Sequence, residues 1–258
     1  MTSEELARRV LYRDALTIII DKPAGMPVHA GPPNAQARNE RAQNASSQNA
    51  LRNVPLTSLF DALRFGLPRR PELAHRLDRD TSGCLVLGRN RAALEKLGRL
   101  FQTGEVRKTY WAVVKGRPQG DEGVIDLPLG RRDKSRGWWM KVDPEGQPAV
   151  TNWRLIGHAE AGPEGPEISA LALEPVTGRT HQLRVHCAAM GWPILGDAVY
   201  GNAERNLEAG AEPALHLHAR AIVLPLYPKR DPIKAVAPIP DRMREALGAC
   251  AVSEETRV

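Results

Sequence analysis

The alternation of strand-like and helix-like runs predicts a domain of mixed α and β structure, and three observations carry that expectation. Short runs rich in β-branched and apolar residues recur along the chain, at residues 16–20 (LTIII), 84–87 (CLVL), 106–116 (VRKTYWAVVKG) and 168–175 (ISALALEP). Between them, residues 91–102 (RAALEKLGRLFQ) place Leu94, Leu97, Leu100 and Phe101 at helical spacing. At 258 residues and 42% hydrophobic content, the chain can bury one substantial core or two small ones.

Taken in order, residues 1–15 form a charged lead-in and residues 16–20 a buried strand. That strand runs into Asp21-Lys22-Pro23-Ala24-Gly25-Met26-Pro27, where two prolines and a glycine force a turn. Lys22 there is either a residue at a cleft edge or part of an ordinary strand exit. Residues 31–55 are rich in Asn, Gln, Ala and Ser and lack apolar periodicity, so they read as a mobile surface insertion. Composition favours a solvated loop there over RNA contact through Arg38, Arg41 and Arg52. Residues 56–66 return to helical spacing. In the helix over 91–102, Asn90 is placed to cap the start and Gly104 to end the run. A strand over 106–116 follows, then strands over 124–128 and 148–156.

The connection between those two strands sets Arg131, Arg132, Lys134, Arg136 and Lys141 around Trp138 and Trp139. It suits phosphate contact and base stacking equally with a hairpin whose tryptophans fold back on the sheet. After the strand over 168–175, a helix from about Thr180 would put Leu183, Cys187 and Met190 on one apolar face. His181, Arg184 and Ala188 fall on the other, so Arg184 is expected to point away from the core. Residues 215–226 (LHLHARAIVLPL) read as a strand with His216 and His218 on one side. Pro240 and Asp241 open a short last helix, and in the C-terminal tail over residues 250–258 the stretch 252–258 reads as frayed.

Composition narrows the function classes. A formal charge of +6 and a pI near 9.5 suggest a polyanionic partner. Cys84, Cys187 and Cys250 form no C-x-x-C pair, which argues against a zinc site or disulfide framework and for a reducing compartment. No apolar stretch reaches signal-peptide or membrane-span length, so a cytoplasmic protein is expected. His181 with His186, and His216 with His218, have poor spacing or company for metal ligation. No G-x-G-x-x-G or P-loop pattern supports a nucleotide cofactor.

The densest chemistry lies in residues 73–89, LAHRLDRDTSGCLVLGR. His75, Arg76, Asp78, Arg79 and Asp80 crowd into six positions before a Thr81-Ser82-Gly83 turn and a buried strand, the pattern of an active-site loop anchored on the core. By itself, an Asp between two Arg is more often a salt-bridged loop residue than a catalyst. The run HRLDRDTSG, however, closely resembles the signature of the RluA-type pseudouridine synthase family. KPAGMPVH, RKTYWAVVKG and TGRTHQLRVH resemble further motifs of that family in family order, followed by PILGDAVYG.

The resemblance implies an α+β fold: a largely antiparallel mixed central sheet with flanking helices and an RNA-binding cleft. Many relatives carry an N-terminal S4-type domain, but too few residues precede 16–20 to form one, so a single catalytic domain over residues 16–249 is expected, and a monomer. The implied activity is isomerisation of uridine to pseudouridine in ribosomal RNA, transfer RNA or both, by base flipping and without a cofactor or metal. Asp78 matches the catalytic aspartate, Tyr110 the tyrosine that contacts the target base, and Arg184 the arginine that pairs with the aspartate. Arg76 would fill the space left by the flipped base or hold its phosphate. His75, Lys22, Lys108, Leu183, Arg179 and His181 complete the expected RNA-binding set. Leu183 and the strand over 84–87 would wall the pocket and exclude water. Two other classes use the same residues differently: a catalytically silent RNA-binding or RNA-folding protein, and a glycosidase-like enzyme. Intact Asp78, Tyr110 and Arg184 argue against the first. The lack of a second carboxylate other than Asp80 argues against the second.

Overall fold

The computed structural model describes residues 1–29, 54–132, 139–162, 165–201 and 215–257. Most of the expected insertion over 31–55, and Lys134, Arg136 and Trp138, lie outside the described residues. The lead-in is structured. Helix α1 (Ser3–Arg8) starts on a capping box in which Thr2 and Glu5 satisfy each other's backbone N–H, and it buries Leu6. Strand β1 (Val10–Arg13) then pairs antiparallel with β2 (Thr17–Lys22).

The other strands are β3 (Glu72–Leu73), β4 (Ser82–Gly88), β5 (Arg107–Lys115), β6 (Glu122–Asp126), β7 (Leu129–Arg131), β8 (Met140–Val142), β9 (Val150–Ala159), β10 (Ile168–Pro175), β11 (Leu217–Leu224) and β12 (Ile233–Val236). Ten of them form one sheet in the order β1-β2-β4-β11-β5-β10-β9-β6, with β12 beside β11 and β3 beside β4. β7 and β8 make a separate hairpin. Among the described residues, every strand pairing is antiparallel except β4 with β11. The expected α+β class, with a largely antiparallel mixed sheet, is therefore what the chain forms.

Alternation along β5 separates the two faces of the sheet. Ala112 and Val114, with Tyr110 beside them, pack toward α3 (Gln182–Ala189) through Leu183 and Cys187. Trp111 and Val113 pack on the opposite face against α4 (Asp241–Ala249) through Met243 and Leu247. A third cluster joins β2 and β4 to α2 (Arg91–Gln102) and to a 3₁₀ segment, Leu56–Leu63, where helical spacing was expected. Asn90 accepts the Ala93 N–H at the start of α2 as expected. The tail is not frayed: Cys250 and Val252 are buried with α4, and Glu254 accepts the Ile239 N–H and pairs with the buried Arg220. Among the described residues, no helix is long and apolar enough to cross a membrane.

Candidate active site

The parallel step between β4 and β11 fixes the loop that carries Asp78. Gly83, at φ +105°, lies so close to β11 that an added Cβ would sit 2.3 Å from the Ala219 carbonyl oxygen. Immediately upstream, Thr81 N–H closes a turn on the Asp78 carbonyl at 3.2 Å. Lys22 ties the loop to the turn after β2. Its Nζ donates to the carbonyls of Pro23 (2.7 Å), Met26 (2.9 Å) and Arg79 (2.9 Å). Arg79 Nε returns a bond to Gly25 O at 3.0 Å. Lys22 is fully buried, so the expected cleft-edge position is corrected: an ammonium with three donors is used as an internal clip. Burial pulls its pKa down to about 7, against the opposing pull of Asp80 and Asp78.

Asp78 faces a cleft of about 590 Å³. It is lined by the segment from His75 to Asp78 with Thr81, and by the segment from Pro175 to Arg184, which approach each other at Asp78 and His181. Lys108, Tyr110, Leu217, Phe101 and Gln102 also line it. Leu77, Leu183 and Leu217 supply the apolar lining; the strand over 84–87, expected as a wall, is buried in the core behind it. The cleft thus gathers Asp78, Tyr110, Arg184, Arg76, His75, Lys108, Leu183, Arg179 and His181, and leaves out Lys22.

Their environments differ. Arg76 is exposed beside Asp78. Tyr110 has its pKa raised, by burial first and then by the negative charge of Asp78, so it stands as a neutral phenol. Burial also lowers the pKa of Lys108. Arg179 is held by a bond from Nε to Pro148 O at 3.0 Å. His75 lines the cleft but is committed to the fold. Its Nε2 accepts the Val86 N–H at 3.0 Å, and its ring stacks on Phe101 at 4.5 Å between centroids. His75 thus anchors the loop to β4 while it lines the cleft in which it is expected to meet RNA.

The partner expected for Arg184 is also corrected. The residue is buried rather than turned outward, and its fork is bidentate on Asp197, with Nε to Oδ2 at 2.8 Å and Nη2 to Oδ1 at 2.7 Å. Asp78 is near enough to act on the Arg184 charge, but its carboxylate is met by His181, with Nε2 3.8 Å from Oδ2. Three residues not singled out from the sequence build this wall. Asp197 Oδ1 accepts the N–H groups of Val199 and Tyr200, and Tyr200 Oη lies 2.8 Å from His181 Nδ1. Gln182 holds the start of α3 by bonding Val150, Thr151, Thr177 and Arg179. The signal for two of them was present in PILGDAVYG, which contains both Asp197 and Tyr200.

The largely antiparallel sheet sets the Asp78 carboxylate in a basic, partly apolar cleft, and comparison with known proteins identifies the chain as an RNA-modifying enzyme. The family model described as RNA pseudouridylate synthase matches residues 16–189, and the chain belongs to that family, as the RluA-type motifs led us to expect. Its activity is isomerisation of uridine to pseudouridine in RNA. An uncharacterized RNA pseudouridine synthase of Zymomonas mobilis is 40% identical over 91% of this chain and 95% of its own length. Ribosomal large subunit pseudouridine synthase D of Xanthomonas campestris is 34% identical over 95% of this chain and 70% of its own. Among solved structures, human RNA pseudouridylate synthase domain containing 4 superposes with a TM-score of 0.71 at 26% identity, covering 96% of this chain and 95% of that one.

Proposed function

We propose that this cleft isomerises uridines of ribosomal RNA, transfer RNA or both, with Asp78 as the catalytic carboxylate. The observation that carries the reading is the placement of Asp78: in the cleft, with Tyr110 and Leu183 beside it and Arg76, Lys108, Arg179 and Arg184 around it. The cations attract the phosphates of a polyanion, and the cavity suits one extruded nucleotide. Extrusion costs a few kcal/mol in unstacking. Exposed Arg76 stands where it can take the vacated place or hold the flipped phosphate.

The reaction balances without a co-reactant. The N1–C1′ bond breaks, the uracil turns, C5 bonds to C1′, C5 loses its proton and N1 gains one. The Asp78 carboxylate serves either direct attack on C1′ or removal of the C2′ proton. Tyr110 offers a stacking face, and its neutral phenol relays the C5 proton by accepting it at oxygen as it gives up its own. Leu77, Leu183 and Leu217 keep water from a detached sugar.

The name of the Xanthomonas relative supports ribosomal RNA as the first substrate to try. A monomer in the cytoplasm is consistent with three buried free cysteines and a charge of +6. The test is tritium release from 5-tritiated uridine in RNA lacking the native modification. Wild type should release tritium and Asp78→Asn should not. Release by both would remove Asp78 from the chemistry, and binding without release by either would favour a silent RNA-binding role.

A further inference from the structure

The buried pairing of Arg184 with Asp197 leaves open what holds the Asp78 carboxylate in place, and the geometry around His181 answers it. His181 Nε2 is 3.8 Å from Asp78 Oδ2, and Nδ1 is 2.8 Å from Tyr200 Oη. That phenol oxygen already accepts the Met140 N–H at 3.0 Å. A phenol has one proton to give; directed at Nδ1, it makes Nδ1 an acceptor and assigns the ring proton to Nε2, aimed at Asp78.

The backbone gives an independent observation. His181 sits at φ 53°, ψ 18°, in the left-handed region that Gly or Asn enters more readily. A strained backbone at a side chain aimed into a cleft marks a residue whose side chain matters there. Tyr200 is itself fixed, since Asp197 accepts its N–H and Arg184 grips Asp197.

We propose that His181, locked by Tyr200, is the positioning residue for Asp78, presenting an N–H that fixes Oδ2 and leaves Oδ1 to the substrate. The inference rests on the reading of Asp78 as the catalytic carboxylate. Arg184 then acts on Asp78 largely through the series Asp197, Tyr200 and His181. The groups that face the imidazole are Asp78 and Arg76 from the catalytic loop, Arg184 from its own helix, and Asp197 and Tyr200 from the turn beyond it. Burial dominates these and lowers the His181 pKa, so the ring is neutral at neutral pH. For His181 to act in this way, the 3.8 Å separation must shorten to hydrogen-bond distance in the complex with RNA.

The test compares His181→Gln, which keeps a donor near the Nε2 position, with His181→Asn, which suits the left-handed backbone but does not reach Asp78. Single-turnover tritium release and RNA affinity are measured separately on one RNA that the wild type modifies, with unfolding midpoints recorded for each variant. His181→Asn should slow release by about 10- to 150-fold, the range for a lost hydrogen bond to a charged group. His181→Gln should recover most of that loss, and RNA affinity should stay near wild type for both. Tyr200→Phe, which keeps the ring and removes the lock, should slow release by about 10-fold. An Asn variant as fast as the Gln variant, a loss confined to affinity, or a wild-type rate in Tyr200→Phe would overturn the proposal. Activity in Asp78→Asn would instead overturn the reading of Asp78 on which it rests.

Discussion

Arg184 and Asp197 are taken out of water together, with side-chain exposures of 7% and 1%. Such a pair gains little over an apolar isostere but is expensive to break, because the survivor is a buried, uncompensated charge. Asp197→Ala should therefore lower stability by about 3–5 kcal/mol, read as a shift in urea midpoint, and slow tritium release as the turn carrying Tyr200 loosens. An unchanged midpoint would show that solvent replaces the carboxylate. Lys22 follows the same logic with neutral partners. Lys22→Met would strand three carbonyls, at least one of them buried away from water, and should cost at least about 2 kcal/mol. Retained stability in that variant would remove the clip from the account of the loop. These residues also show what sequence reading gave at this scale. Asp78, Tyr110 and Arg184 were legible as cleft residues through the family motifs in which they stand, since charge and spacing alone favour a salt-bridged loop for Asp78 and half-buried packing for Tyr110. The partners were not. Arg184 meets a residue 13 positions away across a turn, and Lys22 meets Arg79 across 57, and no local pattern encodes such contacts.

Elements with a local rule were legible to the residue: α2 spans Arg91–Gln102 and β10 spans Ile168–Pro175, because apolar spacing and flanking caps determine them within one window. The elements of the lead-in and the order of the tail were not legible, since α1, β1 and residues 252–254 gain order from packing rather than from a strong local pattern. Glycine shows how the element decides the effect of one substitution. Gly98 lies within α2 with nothing within 4 Å of an added Cβ, so Gly98→Ala should stabilise the helix by about 0.5–1 kcal/mol. Gly83 carries a positive φ and presses on Ala219 in β11. Gly83→Ala should destabilise by at least about 2 kcal/mol and displace the Asp78 loop, with tritium release falling further than the loss of folded protein explains. Thermal melts of the two variants, run side by side, should shift in opposite directions. A shift of the same sign would mean that the β4–β11 contact yields more easily than its geometry implies.

Across the whole molecule, buried neutral histidines set the response to acid. His218 Nδ1 takes the Ser82 hydroxyl proton at 2.8 Å while that oxygen accepts from Arg242 Nη2 at 2.9 Å, which leaves Nε2–H facing the Ala237 carbonyl. His75 Nε2 is occupied by the Val86 N–H. Burial pushes both pKa values down to about 3, assisted by Arg242 and Arg220 at His218 and by Lys108 at His75. In the unfolded chain both titrate near 6.5. Between about 6.5 and 3 the unfolded state therefore binds protons that the folded state refuses, and stability falls as the pH falls. Each of the two contributes a slope approaching about 1.4 kcal/mol per pH unit in the middle of that window. His181 and His186, also lowered by burial, act in the same direction. Asp14 and Asp197, whose folded pKa values are depressed, lose their contribution only below the ordinary carboxylate range and do not enter above it. Urea midpoints at half-unit steps from pH 7.5 to 4.5 should already decline between 7.5 and 6.5, where folded Lys22, with its pKa pulled down to about 7, is still partly unprotonated, and decline steadily below about 6.5, where the histidines act. His218→Asn retains an acceptor for Ser82 but does not titrate, so its decline should be shallower by up to one proton's worth of slope. A wild-type profile that stays level down to pH 4.5 would mean that these sites admit water and protons without unfolding, and that the core behind the catalytic loop is looser than its hydrogen bonds indicate.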